Sequence, residues 1–365
     1  MDEDRPLFFH VMAYAARADR DVVGMVSGNP DWEPPAALRA GLREYADAPV
    51  DELQYPPSEG LRPLREHVAE RHGVDPARVV ITNGGGEANY LAMAESLEES
   101  AGETVLLTDP VYPYYPGKTR MLGGTVRYVA ADETGGLDPN DVAERIDDEV
   151  ATVVVNTPNN PTGAVYDEAT MRGLAELAAD HGARLISDEV YDAFDYSGRF
   201  TSALDVDDRT IVTGSFSKSM AITGFRVGYS VLPPELVEAA KTRHMLVNVA
   251  GSRPSQRAVL AALEATDDDY DAANRALMAD RVETFTAALD EAGADYCTPQ
   301  GGFYVLARFE GFPGTLENVE RLIDEAGVAG MPGEAFGDSR REWLRFALVT
   351  PRVEEAADRL AGYLG

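Results

Sequence analysis

The chain has 365 residues, with 63 Asp plus Glu against 32 Lys plus Arg, a formal net charge of −31. At 44% apolar residues it is too hydrophobic to be mainly disordered, and it is long enough for two domains with separate cores. The acid excess opposes binding of nucleic acid through its phosphates, and the single cysteine, Cys297, excludes an internal disulfide framework and a multi-thiolate metal site.

No apolar run approaches the roughly 18 residues of a membrane span. The acidic opening Met1–Arg5 lacks the basic segment and apolar stretch of a secretory signal. A cytoplasmic protein with neither nucleic acid nor membrane as partner is expected. Lysine is scarce: only Lys118, Lys218 and Lys241 occur. Acid excess with so little lysine resembles the proteins of extreme halophiles, in which dissolved ions screen the self-repulsion.

In chain order, an amphipathic N-terminal helix precedes the Pro-rich stretch Asn29–Pro35. Short β-rich runs follow at Val79–Thr82, Thr104–Thr108, Thr125–Val129, Thr152–Asn156, Arg184–Ser187, Thr210–Thr213 and Val227–Val231. Helical patterns separate the first five, clearest at Glu87–Glu98 and Glu168–Ala179. This alternation predicts an α/β fold with a mainly parallel seven-stranded sheet flanked by helices.

After about Glu235 the pattern changes. Long helical stretches (Glu235–Leu246, Pro254–Glu264, Asp269–Ala292) lead into Tyr304–Arg308, Leu316–Glu325, Glu342–Ala347 and Val353–Tyr363. A smaller α+β domain is predicted. The acidic cluster Asp267–Asp269 suits a helix start. The expected division is 1–44, a segment packing with the small domain; 45–240, the large domain; and 241–365, the small domain.

Four segments carry candidate chemistry. The first is Thr213-Gly214-Ser215-Phe216-Ser217-Lys218, with Arg226 eight residues beyond the lysine. A neutral lysine amine forms a Schiff base with an aldehyde, while serine hydroxyls and a guanidinium suit a phosphate dianion. Alone, a lysine in a serine-rich turn is ordinarily a surface residue; its weight comes from the other segments. Lys118 follows a Pro-Gly loop and Lys241 lies on a helix, so neither is expected beside these motifs.

The second segment, Val153–Gly163, ends a β-branched strand in Asn156-Thr157-Pro158-Asn159-Asn160-Pro161-Thr162-Gly163, at the strand end where open α/β sheets bind ligands. The third, Leu185–Tyr191, ends an apolar strand in Asp188 and places Tyr191 three residues later; Asp188 could equally be a helix N-cap. The fourth, Thr82-Asn83-Gly84-Gly85-Gly86-Glu87, is a glycine turn from strand into helix, where free N–H groups can hold a phosphate. It is not the dinucleotide fingerprint Gly-x-Gly-x-x-Gly.

Together, in this order and spacing, these segments resemble the fold type I pyridoxal-phosphate aminotransferases of class I/II, the aspartate aminotransferase family. The resemblance runs from Ser27-Gly28-Asn29-Pro30-Asp31 to Leu344-Arg345-Phe346-Ala347. It implies the cofactor pyridoxal 5′-phosphate and a ping-pong transfer of the amino group of an L-amino acid to a 2-oxo acid. Lys218 is then the Schiff-base lysine and proton shuttle. Asp188 pairs with the pyridine nitrogen, and Tyr191 and Asn160 bond the phenolic oxygen. Tyr112 stacks on the ring. The phosphate lies on Gly84, Gly85 and Gly86 with Ser215, Ser217 and Arg226, and Tyr55 reaches it from the neighbouring subunit of a homodimer. Arg345 grips the substrate α-carboxylate, helped by Asn160 and Gly28.

Two departures leave the amino donor and acceptor open. Some aspartate-specific members hold the distal carboxylate with a lysine in the glycine loop, where this chain has Gly86. Others use an arginine of the partner subunit, for which Arg253 is the neighbouring candidate. A lyase or decarboxylase on the same fold is an alternative function. So is a histidinol-phosphate-type aminotransferase, although no basic pocket for a substrate phosphate is assignable. A ligand-sensing module of a transcription regulator would need an added DNA-binding domain, for which the short acidic N-terminus leaves no room.

Overall fold

The structure, a computed structural model, describes residues 7–365, with Asp268 described by its backbone alone. The Met1–Arg5 opening and the Asp268 side chain of the acidic cluster lie outside the described residues. The helix predicted at that cluster runs Asp268–Glu291, with Asp267 as its N-cap residue.

Seven strands form the central sheet in the order Val79–Thr82, Gly228–Val231, Ile211–Ser215, Arg184–Asp188, Val150–Asn156, Thr104–Asp109, Thr125–Ala130. All neighbours are parallel except Gly228–Val231, which runs antiparallel to both of its partners. Each of the seven strands foreseen in the sequence is present, shifted at its ends by at most two residues.

Side-chain alternation divides the sheet between two cores. On one face Val79, Ile81, Leu106, Val153, Val155 and Val212 pack with Leu64, Leu174 and Val259 from covering helices. On the other, Val80, Leu107, Val154 and Ile186 pack against Leu91 and Met93 of the helix Gly85–Glu99 and Leu236 and Ala240 of the helix Pro234–Asn248. Because both faces are covered, ligands have access only at the strand ends, and the carboxyl ends of the parallel strands open to one crevice.

A third core belongs to the smaller unit. Its sheet runs Met331–Pro332, Leu344–Ala347, Tyr304–Arg308, Asp295–Tyr296, all antiparallel. The chain's beginning joins it. Val23–Gly24 pairs in parallel with Val328–Ala329, and Val11, Val23 and Met25 are buried beside Phe346 and Leu360.

Packing draws the units differently from the division at 45 and 240. Residue 240 falls inside the helix Pro234–Asn248, which is seated on the sheet. Leu38, from the helix Ala36–Ala46, is buried in the same core as Ala258, Val259 and Ala262 of the helix Arg253–Ala265. Those two helices bury their apolar faces on each other rather than on the C-terminal core. We therefore propose that the large unit spans Ala36 to Ala265.

Candidate active site

Five strand ends deliver the polar side chains to one cavity of about 370 Å³. It is lined by Gly85 and Gly86, by Tyr112, by Asn156 and Asn160, by Asp188 and Tyr191, and by Ser215, Ser217, Lys218 and Arg226. The smaller unit adds Tyr304 and Arg345, and the N-terminal segment adds Phe8, Met12, Ser27 and Gly28. Four segments far apart in sequence thus meet.

Asp188 is 4% exposed at the end of its strand. Burial raises its pKa, while hydrogen bonds from Tyr115, Asn89 and the Val190 N–H oppose that rise. The Asn89 amide donates at 2.6 Å, and its own oxygen accepts from Thr213 at 2.8 Å, which fixes the amide's orientation. Asp188 therefore stands as a buried, oriented acceptor rather than as a helix N-cap.

Lys218 sits on a single turn, Phe216–Ser219, whose start is capped by Ser215 Oγ accepting from the Ser217 N–H. Its ammonium donates to the Gly28 carbonyl at 2.7 Å. Burial lowers its pKa, and the nearby guanidinium groups of Arg345 and Arg226 act in the same direction, which favours the nucleophilic neutral amine.

The backbone of the glycine turn is shaped to receive a phosphate. Gly84 has φ +77°, and a Cβ there would run into the Arg226 guanidinium. The helix Gly85–Glu99 begins immediately after, so the N–H groups of Gly85 and Gly86 are free of intrahelical acceptors. Arg226 itself adopts φ +56° and is held by the Thr223 carbonyl at 2.9 Å and the Asn83 carbonyl at 3.2 Å. Ser215 Oγ lies 2.8 Å from Ser217 Oγ. Donors for a dianion, an aldehyde-reactive amine and a partner for a ring N–H are all provided, so the residues fit pyridoxal 5′-phosphate.

Arg345, 1% exposed, lies in the strand Leu344–Ala347 with its guanidinium 4.5 Å from the Tyr304 ring centroid. It donates to Asn160 Oδ1 at 3.2 Å and to the Val26 carbonyl. Its Nε is buried without a hydrogen-bond partner among the described residues. Burial pushes its pKa below the ordinary value. A guanidinium in this condition calls for an anion.

Two expected site residues lie outside the cavity. Gly84 supports it from behind Arg226. Tyr55 is 81% exposed and does not line it, and Arg253 is likewise absent from its lining. Arg253 instead donates to the carbonyls of Asp51 and Gln54, beside Tyr55.

One sequence reading is corrected. Lys118 was not expected near the other motifs, yet it lines the same cavity. The Pro-Gly pair before it lies within a helix, Tyr114–Met121, and Pro116 occupies its first turn, where a missing N–H breaks no bond. Sequence reasoning also missed Asn89, Tyr115, Asn156 and Tyr304. Asn89 falls one helical turn beyond Gly85 and Tyr115 three residues beyond Tyr112, spacings that could have marked them. Asn156 bridges two motifs, donating to the Asp188 carbonyl and accepting from the Asn160 N–H, both at 2.8 Å. Tyr304 Oη lies 3.0 Å from Tyr191 Oη, and no local signal marked it.

Comparison with known proteins agrees with this geometry. The family model "Aminotransferase class I and II" matches residues 20–360. An aspartate aminotransferase of Thermotoga maritima is 32% identical over 355 residues, 94% of this chain and 92% of its own. An aspartate/prephenate aminotransferase of Thermus thermophilus is 31% identical, covering 94% and 91%. The crystallised Thermus thermophilus aspartate aminotransferase with maleate superposes with a TM-score of 0.89 at 30% identity, covering 97% of this chain and 96% of that one. The chain belongs to the class I and II aminotransferase family and is a pyridoxal-phosphate-dependent aminotransferase.

Proposed function

We propose that the cavity transfers the amino group of an L-amino acid to a 2-oxo acid through the residues assigned below, with aspartate the first donor to test because several relatives are named for it. The observation that carries this reading is the convergence of Lys218, Asp188 and Arg345 on one cavity. Pyridoxal 5′-phosphate, when bound, supplies an aldehyde that accepts the amino group of one substrate and returns it to the next. Lys218 would hold the cofactor aldehyde through its Nζ and, once the substrate amine has displaced it, the freed Nζ would move a proton to and from the substrate Cα. Asp188 holds a proton on the ring nitrogen. Tyr191 and Asn160 bond the phenolic oxygen, and Tyr112 covers the ring face.

Gly85, Gly86, Ser215, Ser217 and Arg226 hold the phosphate, while Gly84, expected among them, donates its N–H to the Thr82 carbonyl and leaves room for the Arg226 guanidinium. Arg345 takes the substrate α-carboxylate as a planar fork, with Asn160 and the Gly28 backbone beside it. Phe8 and Met12 cover this end of the cavity with apolar groups that exclude water.

The reading extends to assembly. Val50, Leu53, Tyr55, Leu246, Val247 and Val249 are exposed apolar side chains. Arg253 links the loop that carries Leu53 and Tyr55 to the chain segment after Val249. Such a patch suits a second copy of the chain, with Tyr55 crossing to the partner's phosphate. A cytoplasmic, salt-adapted enzyme is proposed from composition. In its support, no helix among the described residues is long and apolar enough to cross a membrane, and none of the three lysines is free on the surface. Lys118 and Lys218 line the cavity, and Lys241 pairs with Glu238 at 3.1 Å.

Five outcomes test these proposals. Mixing holoenzyme with single L-amino acids, without acceptor, should discharge the cofactor absorption band, and a 2-oxo acid should restore it; no discharge by any amino acid defeats the proposal. Lys218→Ala should lower turnover by at least ~10²–10⁴-fold. Borohydride reduction of the wild type followed by peptide mapping should label Lys218; label on Lys118 would reassign the nucleophile. Subunits carrying Lys218→Ala and Tyr55→Asp, each inactive alone, should regain up to one working site per hybrid dimer after exchange, and no recovery despite proven exchange would place Tyr55 outside the shared site. Finally, Tm should rise by roughly 5–10 °C or more between dilute and multimolar KCl. A Tm indifferent to KCl would refute salt adaptation.

A further inference from the structure

The glycine turn at the start of the helix Gly85–Glu99 carries an acid that the assignments above leave without a role. Glu87 is the third residue of that helix, directly after the two glycines whose N–H groups are proposed for the phosphate. A carboxylate suits a helix start, but here it competes with the incoming dianion for the same positive end. Its side chain is nevertheless only 9% exposed, and both of its oxygens are bonded. Oε2 accepts from the Asn83 N–H at 2.6 Å. Oε1 lies 2.8 Å from His244 Nδ1, which is the donor because an ionised carboxylate only accepts, and it also accepts from the Asn248 amide.

These bonds join the phosphate cradle to a second helix. Asn83 is held on both sides, its N–H by Glu87 and its carbonyl by the Arg226 guanidinium at 3.2 Å. A single residue thus connects Glu87 to the cation proposed for the phosphate. At the far end, His244 and Asn248 lie one turn apart at the close of the helix Pro234–Asn248. His244 is fully buried, and its Nε2 has no hydrogen-bond partner among the described residues, so the imidazole is anchored through Glu87. Val249, immediately after Asn248, is β-branched yet adopts φ +65°. With Arg226 at φ +56° it makes two of the three non-glycine residues of positive φ among the described residues, the other being Ala221. Backbone of this kind persists where surrounding contacts over-determine it, and both residues border the Glu87 network.

We propose that Glu87 is a positioning residue for the cofactor phosphate. Anchored by His244 and Asn248, its carboxylate fixes Asn83 so that the glycine turn and Arg226 present their N–H groups in one arrangement. The proposal rests on the reading of that turn as the phosphate cradle and adds to it the group that holds the cradle in shape. Donors from three residues disperse the carboxylate charge, which lessens its repulsion of the dianion. In return the phosphate donors need no ordering when the ligand arrives.

The test strips the full chain of cofactor and titrates it spectroscopically with pyridoxal 5′-phosphate and with pyridoxal, which has the same ring and aldehyde but no phosphate. In Glu87→Ala the affinity for pyridoxal 5′-phosphate is expected to fall about 10- to 100-fold, while that for pyridoxal moves less than about 2-fold. Glu87→Gln keeps an oxygen for the Asn83 N–H, and its amide can donate to His244 and Asn248 once these turn acceptors toward it. This variant should hold pyridoxal 5′-phosphate within about 3-fold of wild type. Asn248→Ala removes one anchor and should lose about 3- to 10-fold for the phosphorylated ligand alone. Should Glu87→Ala not fold, Asn248→Ala decides by the same comparison. A general loosening of the fold would weaken both ligands and would not be rescued by glutamine. Equal losses for the two ligands, or no loss, in the alanine variants would overturn the proposal, as would a Glu87→Gln variant as weak as Glu87→Ala. A wild type that binds pyridoxal as tightly as pyridoxal 5′-phosphate would instead fail the reading of the cradle, so the two failures are distinguishable.

Discussion

The site is arranged around one buried charge, the Asp188 carboxylate at the end of an internal strand. A carboxylate so enclosed is costly unless its oxygens are bonded, and its donors come from elements that must lie on one face of the sheet. Asn89 comes from the helix Gly85–Glu99 and Tyr115 from the helix Tyr114–Met121. The first of these begins at Gly85 and Gly86 and reaches Asn89 one turn later. One helix therefore sets the spacing between the Gly85–Gly86 turn and Asp188, the groups proposed to hold the cofactor's phosphate and its ring nitrogen.

A second buried charge ties the smaller unit to this arrangement. Arg345 bonds Asn160 of the large unit and the Val26 carbonyl of the N-terminal segment, and aromatic rings of Phe8, Tyr304 and Phe336 lie within 5.0 Å of its guanidinium carbon. Three chain segments thus converge on a single guanidinium whose Nε remains unbonded among the described residues. The protein supplies enough contacts to position the group and leaves part of its charge for a ligand. Preorganisation of this kind lets binding of a carboxylate offset a desolvation already incurred on folding.

How much was legible in the sequence follows from the range of each constraint. The strands were readable because short β-branched runs such as Val153–Val155 cannot be satisfied away from a covered sheet. Asp188, Asn160 and Lys218 were readable because their segments, each with an ordinary structural reading when taken alone, together resemble one family in order and spacing. Tyr304 was not, since its neighbour Tyr191 lies 113 residues away and nothing near it signals the pairing. Lys118 was misread for a local reason: Pro116 and Gly117 look like a loop, yet the first turn of a helix tolerates both. The limits we propose for the large unit, Ala36 and Ala265, rest on a contact of the same long range, since the helices Ala36–Ala46 and Arg253–Ala265 share one core across more than 200 residues of sequence.

Composition and site meet in the use of lysine. In a chain with three lysines, most cationic positions are occupied by arginine, and ion pairs such as Arg184 with Glu99 and Glu235 show it serving the surface. A lysine that persists marks a place where arginine cannot do the same work. At position 218 the reason is chemical, since a guanidinium has no accessible neutral form to attack an aldehyde. Lys118 lines the same cavity, half-buried with its Nζ 5.7 Å from the Tyr115 ring centroid. Scarcity of lysine is thus itself a signal, and it directs attention to the same cavity that the geometry identifies.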